Sequence, residues 1–287
     1  MPADLGCSAS TGRLAAEVAF AFACWTGAYK FLAVFGATRH FSREWRCRMV
    51  TVAHACLVTA LAGWDLASFG RNAVYWEMQG QPYNYLERLL FTVCLGYFLF
   101  DLAWCLLHRT EGPLMLLHHC ASVFGLAMSL FGCRWAPELT ITIGGSECTN
   151  PLLQLRWFLR NSGGGNSPLR SQLLLVVELT FLVSFCLMRL CVGGCLTVSY
   201  LANPATDFLG RLGAVTMFGI GLGFLGQVFG QAARRIRRAK SGENLQRLAN
   251  LRRDEGEDDA AANLRLDDGD RILHSNNNGF QLRHSKI

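Results

Sequence analysis

Seven polar side chains interrupt otherwise apolar stretches of the sequence. They are His54, Asp101, His118, His119, Glu147, Asn150 and Glu178. A neutral histidine can act as a base or a nucleophile, and a carboxylate bonded to its second ring nitrogen fixes its tautomer. Because ionisable groups inside membrane-length apolar segments are costly, they indicate function by default. These residue types therefore predict a centre for proton transfer.

Counting along the apolar segments places five of these side chains at one depth. The five are His54, Asp101, His118, His119 and Glu178, each four to six residues from the end of its segment. At 1.5 Å per residue, this lies roughly 6–9 Å below one common boundary. A layer at that depth would let a water-soluble acyl donor deliver its chain between the helices.

Asp101 is the best candidate to orient a histidine, because a tight hairpin between its segment and the next brings it alongside His118 or His119. Adjacent helical residues point about 100° apart, so at most one of the two histidines faces a common centre squarely. The alternative is that buried histidines and carboxylates only hold helices together, which we favour for His54 with Glu178. Adjacent histidines do not have the i, i+4 spacing that chelates a metal on a helix, so we predict no metal site.

A second polar motif lies in the segment from residue 138 to 159. Glu147, Asn150 and Gln154 recur at helical spacing and share one face, and Pro151 opens the helix there. We expect Glu147 and Asn150 to lie nearer the middle of the membrane than the five-residue layer. A functional role and a packing role for this motif are equally supported.

Membrane helices must position these residues, because 51% of the 287 residues are hydrophobic and 21 of the 48 charged residues lie in the last 56 positions. A bilayer-crossing helix needs about 20 mostly apolar residues. Seven segments qualify: about 14–36, 49–69, 88–107, 114–131, 138–159, 172–200 and 209–231. The sequence therefore predicts an all-α polytopic membrane protein, not a collagen-like, disulfide-stapled, disordered or nucleic-acid-binding chain. Nine of the twelve cysteines lie in apolar stretches and are interpreted as packing residues.

The arginines and lysines of the short loops predict the orientation. They concentrate between segments 1 and 2, 3 and 4, and 5 and 6, and after segment 7. This alternation predicts a lumenal or external N-terminus and a cytosolic C-terminus.

The run from Cys94 to Leu126 resembles the centre of a TLC domain, the domain shared by translocating-chain-associating proteins and longevity-assurance ceramide synthases. The resemblance rests on Tyr97-Phe98-Leu99-Phe100-Asp101, Leu117-His118-His119, Glu147-x-x-Asn150-Pro151 and Leu155-Arg156-Trp157-Phe158-Leu159. It implies a six-helix bundle at about residues 40–235. Residues 1–39 would add one N-terminal helix, giving seven transmembrane helices, and 236–287 a cytosolic, disordered tail.

The resemblance also implies an endomembrane protein, with the endoplasmic reticulum favoured, whose partners are membrane lipids. In ceramide synthases the adjacent histidines are essential for N-acylation by acyl-CoA, and His118 and His119 match them. Ceramide synthases carry an Asp-rich stretch on the following helix, whereas residues 144–151 of this chain contain one glutamate, Glu147, and no aspartate.

Two functions follow as hypotheses. In the first, the chain binds an acyl lipid in an intramembrane chamber lined by His54, Glu147, Asn150 and Glu178. It would transfer an acyl group with His118 or His119 oriented by Asp101, with acyl-CoA as substrate and no cofactor. In the second, it is a non-enzymatic lipid-binding or lipid-sensing scaffold. A transporter is disfavoured, because the sequence shows no inverted repeat.

Overall fold

The computed structural model describes residues 7, 9–68, 80–162, 167–204, 206–234, 237–238 and 240–241, and all regular structure in this part is helical. The helices are α1 (Thr11–Val34), α2 (Arg43–Ser68), α3 (Tyr85–His108), α4 (Pro113–Gly132), α5 (Ala136–Glu147), α6 (Asn150–Asn161), α7 (Pro168–Ala202) and α8 (Phe208–Arg234). The predicted tail lies largely outside the described residues. Contacts divide the chain into units Met1–Leu225 and Gly226–Ile287; the second is described only for the end of α8 and the four residues that follow it.

Five helices, α2, α3, α4, α7 and α8, are long and apolar enough to cross a membrane. The all-helical, multi-pass character predicted from the sequence is confirmed. Helix α1 has 24 residues but is not among the five, because Glu17 and Lys30 lower its mean hydropathy. The total of seven crossings stays a prediction.

The fifth predicted segment is two helices rather than one kinked span. Helix α5 ends at Glu147 and α6 begins at Asn150, and each has 12 residues. At 1.5 Å per residue each is about 18 Å long, less than the hydrocarbon thickness of a bilayer. The break precedes Pro151, which has no backbone N–H to continue the hydrogen bonding of α5.

Local sequence signals set the helix ends. A proline occupies one of the first two positions of α4, α5, α6 and α7, where its missing N–H costs nothing. Asn84 caps α3 in a capping box: its Oδ1 accepts from Glu87 N at 3.0 Å, and Asn84 N donates to Glu87 Oε2 at 2.8 Å. Helices α3 and α4 end at left-handed residues, Arg109 and Cys133.

Helix α3 forms the centre of the bundle and packs against α1, α2 and α4. Each of the five helices has an apolar stretch that could cross the membrane. In α3, 56% of this stretch is buried inside the protein, whereas in each of the other four helices 33% or less is buried. Helix α1 approaches closely because Gly96 has no side chain; a Cβ there would lie 2.6 Å from Ala21 Cβ. Helix α2 contacts α5 and α6, and α6 contacts α7. Residues on α2, α3, α4 and α5 thus reach a shared interior.

Candidate functional site

The imidazole of His119 is held by the carboxylate of Asp101. His119 Nε2 lies 3.1 Å from Asp101 Oδ2, and both side chains are mostly buried. Asp101 is near the end of α3 and His119 near the start of α4. The connection is short because Arg109 adopts a left-handed conformation and Pro113 begins the next helix. The hairpin expected from the sequence therefore brings the pair together and selects His119 rather than His118.

Two cysteines lie beside this pair. Cys47 Sγ is 3.8 Å from Asp101 Oδ1, and one ligand atom each from Asp101, Cys105 and His119 lies within 4.8 Å of the others. These donors could hold a metal ion such as Zn²⁺. Sequence reasoning weighed only the spacing of the adjacent histidines and overlooked Cys105, although it follows Asp101 at i, i+4. The prediction of no metal site stays a prediction.

His54 and Glu147 form a second buried pair. His54 Nδ1 lies 3.5 Å from Glu147 Oε2, and His54 is completely buried. Asn150 Nδ2 donates to the same Oε2 at 2.9 Å, so the two residues of the second polar motif do come together. The interpretation that paired His54 with Glu178 is wrong. Counting along one uninterrupted segment placed Glu147 at a different depth, whereas the end of α5 brings it beside His54.

Glu178 lies in a separate ion-pair cluster. Its Oε1 is 3.2 Å from Arg156 Nε and also contacts Arg160 Nη2, so it connects α7 to α6. The side chains of all three residues are 20–28% exposed. Glu178 thus bonds to the arginines of the preceding helix, α6, rather than to the histidines of the layer.

Phe98 lies between the two histidine pairs. Its ring centroid is 6.0 Å from those of His118 and His119 and 5.9 Å from that of His54. The ring of His54 stacks on Tyr97 at 3.7 Å with an interplanar angle of 11°, and the Tyr97 hydroxyl donates to Thr51 at 3.0 Å. One segment of α3, from Tyr97 to Asp101, therefore contacts all three histidines.

His118 faces another side of α4 from His119. Its ring centroid lies 5.6 Å from that of Phe224 on α8. Its buried Nδ1 has no hydrogen-bond partner among the described residues, and the same holds for Nδ1 of His119. Each histidine therefore has a buried ring nitrogen that no described residue hydrogen-bonds.

Glu111, in the turn between α3 and α4, adds a carboxyl group near the pair. Burial raises the pKa of Glu111 above its usual value, and the nearby positive charge of Arg48 opposes that effect. Asp101 and His119 are close enough to influence its titration as well. The sequence analysis treated this turn only as a connection and did not identify Glu111.

A largely apolar cavity of about 260 Å³ lies among α4, α5, α7 and α8. Ala121 and Gly125 line it from α4. They follow His118 at i+3 and i+7, so His118 lies on the helix face that borders the cavity. The cavity also contains Arg189, whose Nη1 donates to Ser146 Oγ at 3.0 Å. Sequence reasoning missed Arg189, although a lone arginine inside the apolar segment 172–200 was the signal that could have identified it.

Comparison with known protein families adds one finding to this geometry. Residues 44–229, about two thirds of the chain, match the model of the TLC domain.

Proposed function

The chain belongs to the TLC domain family, and on that premise we propose that it acts on membrane lipids by binding an acyl chain in the cavity among α4, α5, α7 and α8. Apolar walls with a few polar groups are typical of ligand sites. The observation that carries the proposal is that His118 lies on the face of α4 that borders this cavity, next to the oriented His119–Asp101 pair.

Acyl transfer is the reaction that this arrangement supports best. Acyl-CoA would be the donor, and a lipid hydroxyl or amine would attack the thioester carbon. A histidine would take the proton of the acceptor as the new bond forms, and the coenzyme A thiolate would leave and regain that proton. Asp101 supports this role because a carboxylate on one ring nitrogen fixes the tautomer of the imidazole. The reaction requires no cofactor besides its substrates.

A non-enzymatic lipid-binding or lipid-sensing scaffold is the second candidate. It is favoured by the burial of His54 and Glu147 and by their direct contact, which together with Asn150 ties α2 to the junction of α5 and α6. In this alternative the histidine pairs stabilise the bundle and the cavity binds a lipid without transforming it.

We further propose that the protein resides in the endoplasmic reticulum with a lumenal N-terminus and a cytosolic C-terminus. The loop arginines support this orientation. A disulfide between Cys7 and Cys133, whose Cα atoms are 5.8 Å apart, supports it independently. Disulfides persist in oxidising compartments such as the lumen, and both cysteines lie on the predicted lumenal side. Within the family, residues 42–48 (SREWRCR), taken together with the TLC motifs, make the chain resemble TLC domain-containing protein 5.

Lipidomics of cells that express wild type or the double variant His118→Ala/His119→Ala, at equal protein abundance, tests the proposal. His40→Gln serves as the matched control, because His40 is an exposed histidine in the turn between α1 and α2. Acyl transfer predicts that the lipid profile of the double variant differs from those of wild type and His40→Gln. Identical profiles would exclude catalysis by these histidines, and failure of the double variant to accumulate would support the scaffold.

A further inference from the structure

Arg189 is an intramembrane cation that the proposed chemistry does not use. It lies within the 35-residue helix α7, on a π-helical turn at Leu187–Val192. Such turns are rare and occur frequently at functional sites. An arginine inside a membrane helix is costly and usually marks a ligand or ion pathway. Its position therefore calls for a partner that neutralises it.

The described residues of the protein give Arg189 a hydrogen bond and an aromatic contact, but no negative charge at ion-pair distance. Arg189 Nη1 donates to Ser146 Oγ at 3.0 Å, and the guanidinium carbon lies 5.3 Å from the centroid of the Phe185 ring. No carboxylate of the described residues lies within ion-pair distance of Arg189, and its buried Nε has no hydrogen-bond partner there. Glu147 is near enough for a longer-range attraction, but its Oε2 is engaged with His54 and Asn150.

The space beside Arg189 is kept open by glycines. A Cβ at Gly221 would lie 3.4 Å from Arg189 Cδ, and one at Gly145 would lie 3.3 Å from Met188 Sδ. Both glycines line the cavity. The cavity follows α5 from Glu138 to Ser146, eight residues or about 12 Å of helix. Arg189 and Ser146 thus lie at one end of an elongated apolar space.

We infer that this cavity takes a single-chain lipid whose anionic head group is bound by Arg189 and Ser146 and whose chain extends toward Glu138. This inference rests on the proposed function and names the ligand class. A guanidinium pairs with carboxylate or phosphate through charge-assisted, bidentate hydrogen bonds. The volume of about 260 Å³ is just below the usual range for ligand pockets, roughly 300–1,000 Å³, so the cavity suits one chain rather than two.

Binding of radiolabelled probes to the purified full-length protein in nanodiscs tests the inference. The probes are oleate, oleoyl lysophosphatidate and the uncharged oleyl alcohol, which has the same chain. We expect at least one of the two anions to bind about tenfold more tightly than the alcohol, or tighter still. Carboxylate and phosphate are distinguished by which of the two anions binds more tightly.

The variants Arg189→Gln and Arg189→Lys assign the effect to this side chain, and Ser184→Ala is the control at a half-buried position of α7 that does not line the cavity. We expect Arg189→Gln to lose the preference for anions without changing the affinity for oleyl alcohol, and Arg189→Lys to keep part of it. If Arg189→Gln does not fold, Ser146→Ala should reduce anion affinity severalfold.

Three outcomes would overturn the inference: affinities of the wild type for both anions that equal its affinity for oleyl alcohol, an unchanged preference for anions in Arg189→Gln, or an unchanged anion affinity in Ser146→Ala where Arg189→Gln cannot be made. These outcomes leave the proposed acyl-chain binding intact. Failure of all three probes to bind the wild type would instead contradict the proposed function itself.

Discussion

Asp101 Oδ2 lies 3.1 Å from Nε2 of His119, whereas in the described part of the chain no hydrogen bond or ion pair joins Asp101 to the adjacent His118, whose ring lies against Phe224. The two histidines, one residue apart, therefore have different surroundings. One has a fixed orientation, and the other lies on the face of α4 that borders the cavity.

This difference predicts that Asp101→Asn and His119→Gln act as one unit. If Asp101 works by orienting His119, the double variant should change the cellular lipid profile no more than either single variant does. His118→Gln is the comparison, and its effect should add to that of Asp101→Asn. Lipidomics at matched protein levels measures the effect of each single variant and of each double variant. Additive effects of Asp101→Asn and His119→Gln would argue that the two residues act separately.

Replacement of His54 should destabilise the bundle strongly. His54→Ala leaves the buried carboxylate of Glu147 with Asn150 as its remaining close partner, and losing one member of a buried pair costs about 3–5 kcal/mol. Tyr97→Phe is the matched control, since it keeps the ring that stacks on His54 and loses only the hydroxyl bond to Thr51, worth about 1 kcal/mol. Thermal unfolding in detergent should rank the two variants in that order, and equal losses would be evidence against the pair.

Gly96 should not tolerate a side chain. A Cβ there would meet Ala21 Cβ at 2.6 Å and the backbone nitrogen of Phe22 at 2.8 Å, so Gly96→Ala must push α1 away from α3. We expect a loss of about 1–3 kcal/mol. At Gly63, also inside a helix, nothing lies within 4 Å of the added carbon, so Gly63→Ala should be neutral or slightly stabilising. Unfolding temperatures that fall equally for both variants would contradict the close α1–α3 packing.

Glu111 should make stability depend on pH. Burial raises the pKa of its carboxyl group, so the folded state holds the proton more tightly than the unfolded state does. Stability must then fall as the pH rises from the ordinary carboxyl pKa of about 4.3 through the raised one. Glutamine does not titrate in this range. The unfolding temperature of Glu111→Gln should therefore rise relative to that of the wild type as the pH increases. A constant difference between the two proteins across that range would show that Glu111 titrates normally.

The disulfide between Cys7 and Cys133 can be detected directly. Peptide mapping of protein alkylated without reduction should recover the two cysteines as one cross-linked species. Because the bond closes a loop across 126 residues, Cys133→Ser should lower stability by about 2–4 kcal/mol. Cys56→Ser, at an exposed free cysteine on α2, is the control. Recovery of Cys7 and Cys133 as separately alkylated thiols would remove this support for a lumenal N-terminus.

Much of the helical framework could be predicted from the sequence, because it depends on local properties. Apolar length and prolines at helix starts act within a few residues. The Asp101–histidine hairpin was predictable for the same reason, since only four residues separate α3 from α4.

The remaining contacts were decided by tertiary structure. The choice of His119 over His118 depends on how α4 is rotated against α3, and the pairing of His54 with Glu147 depends on the break between α5 and α6. The cavity at Arg189 needs the π-helical turn of α7 and glycines from α5 and α8. Residue order determines which groups are present and where each lies along its own segment. Helix rotation and breaks determine which of them meet, because contacts between distant segments depend on packing that no single segment specifies.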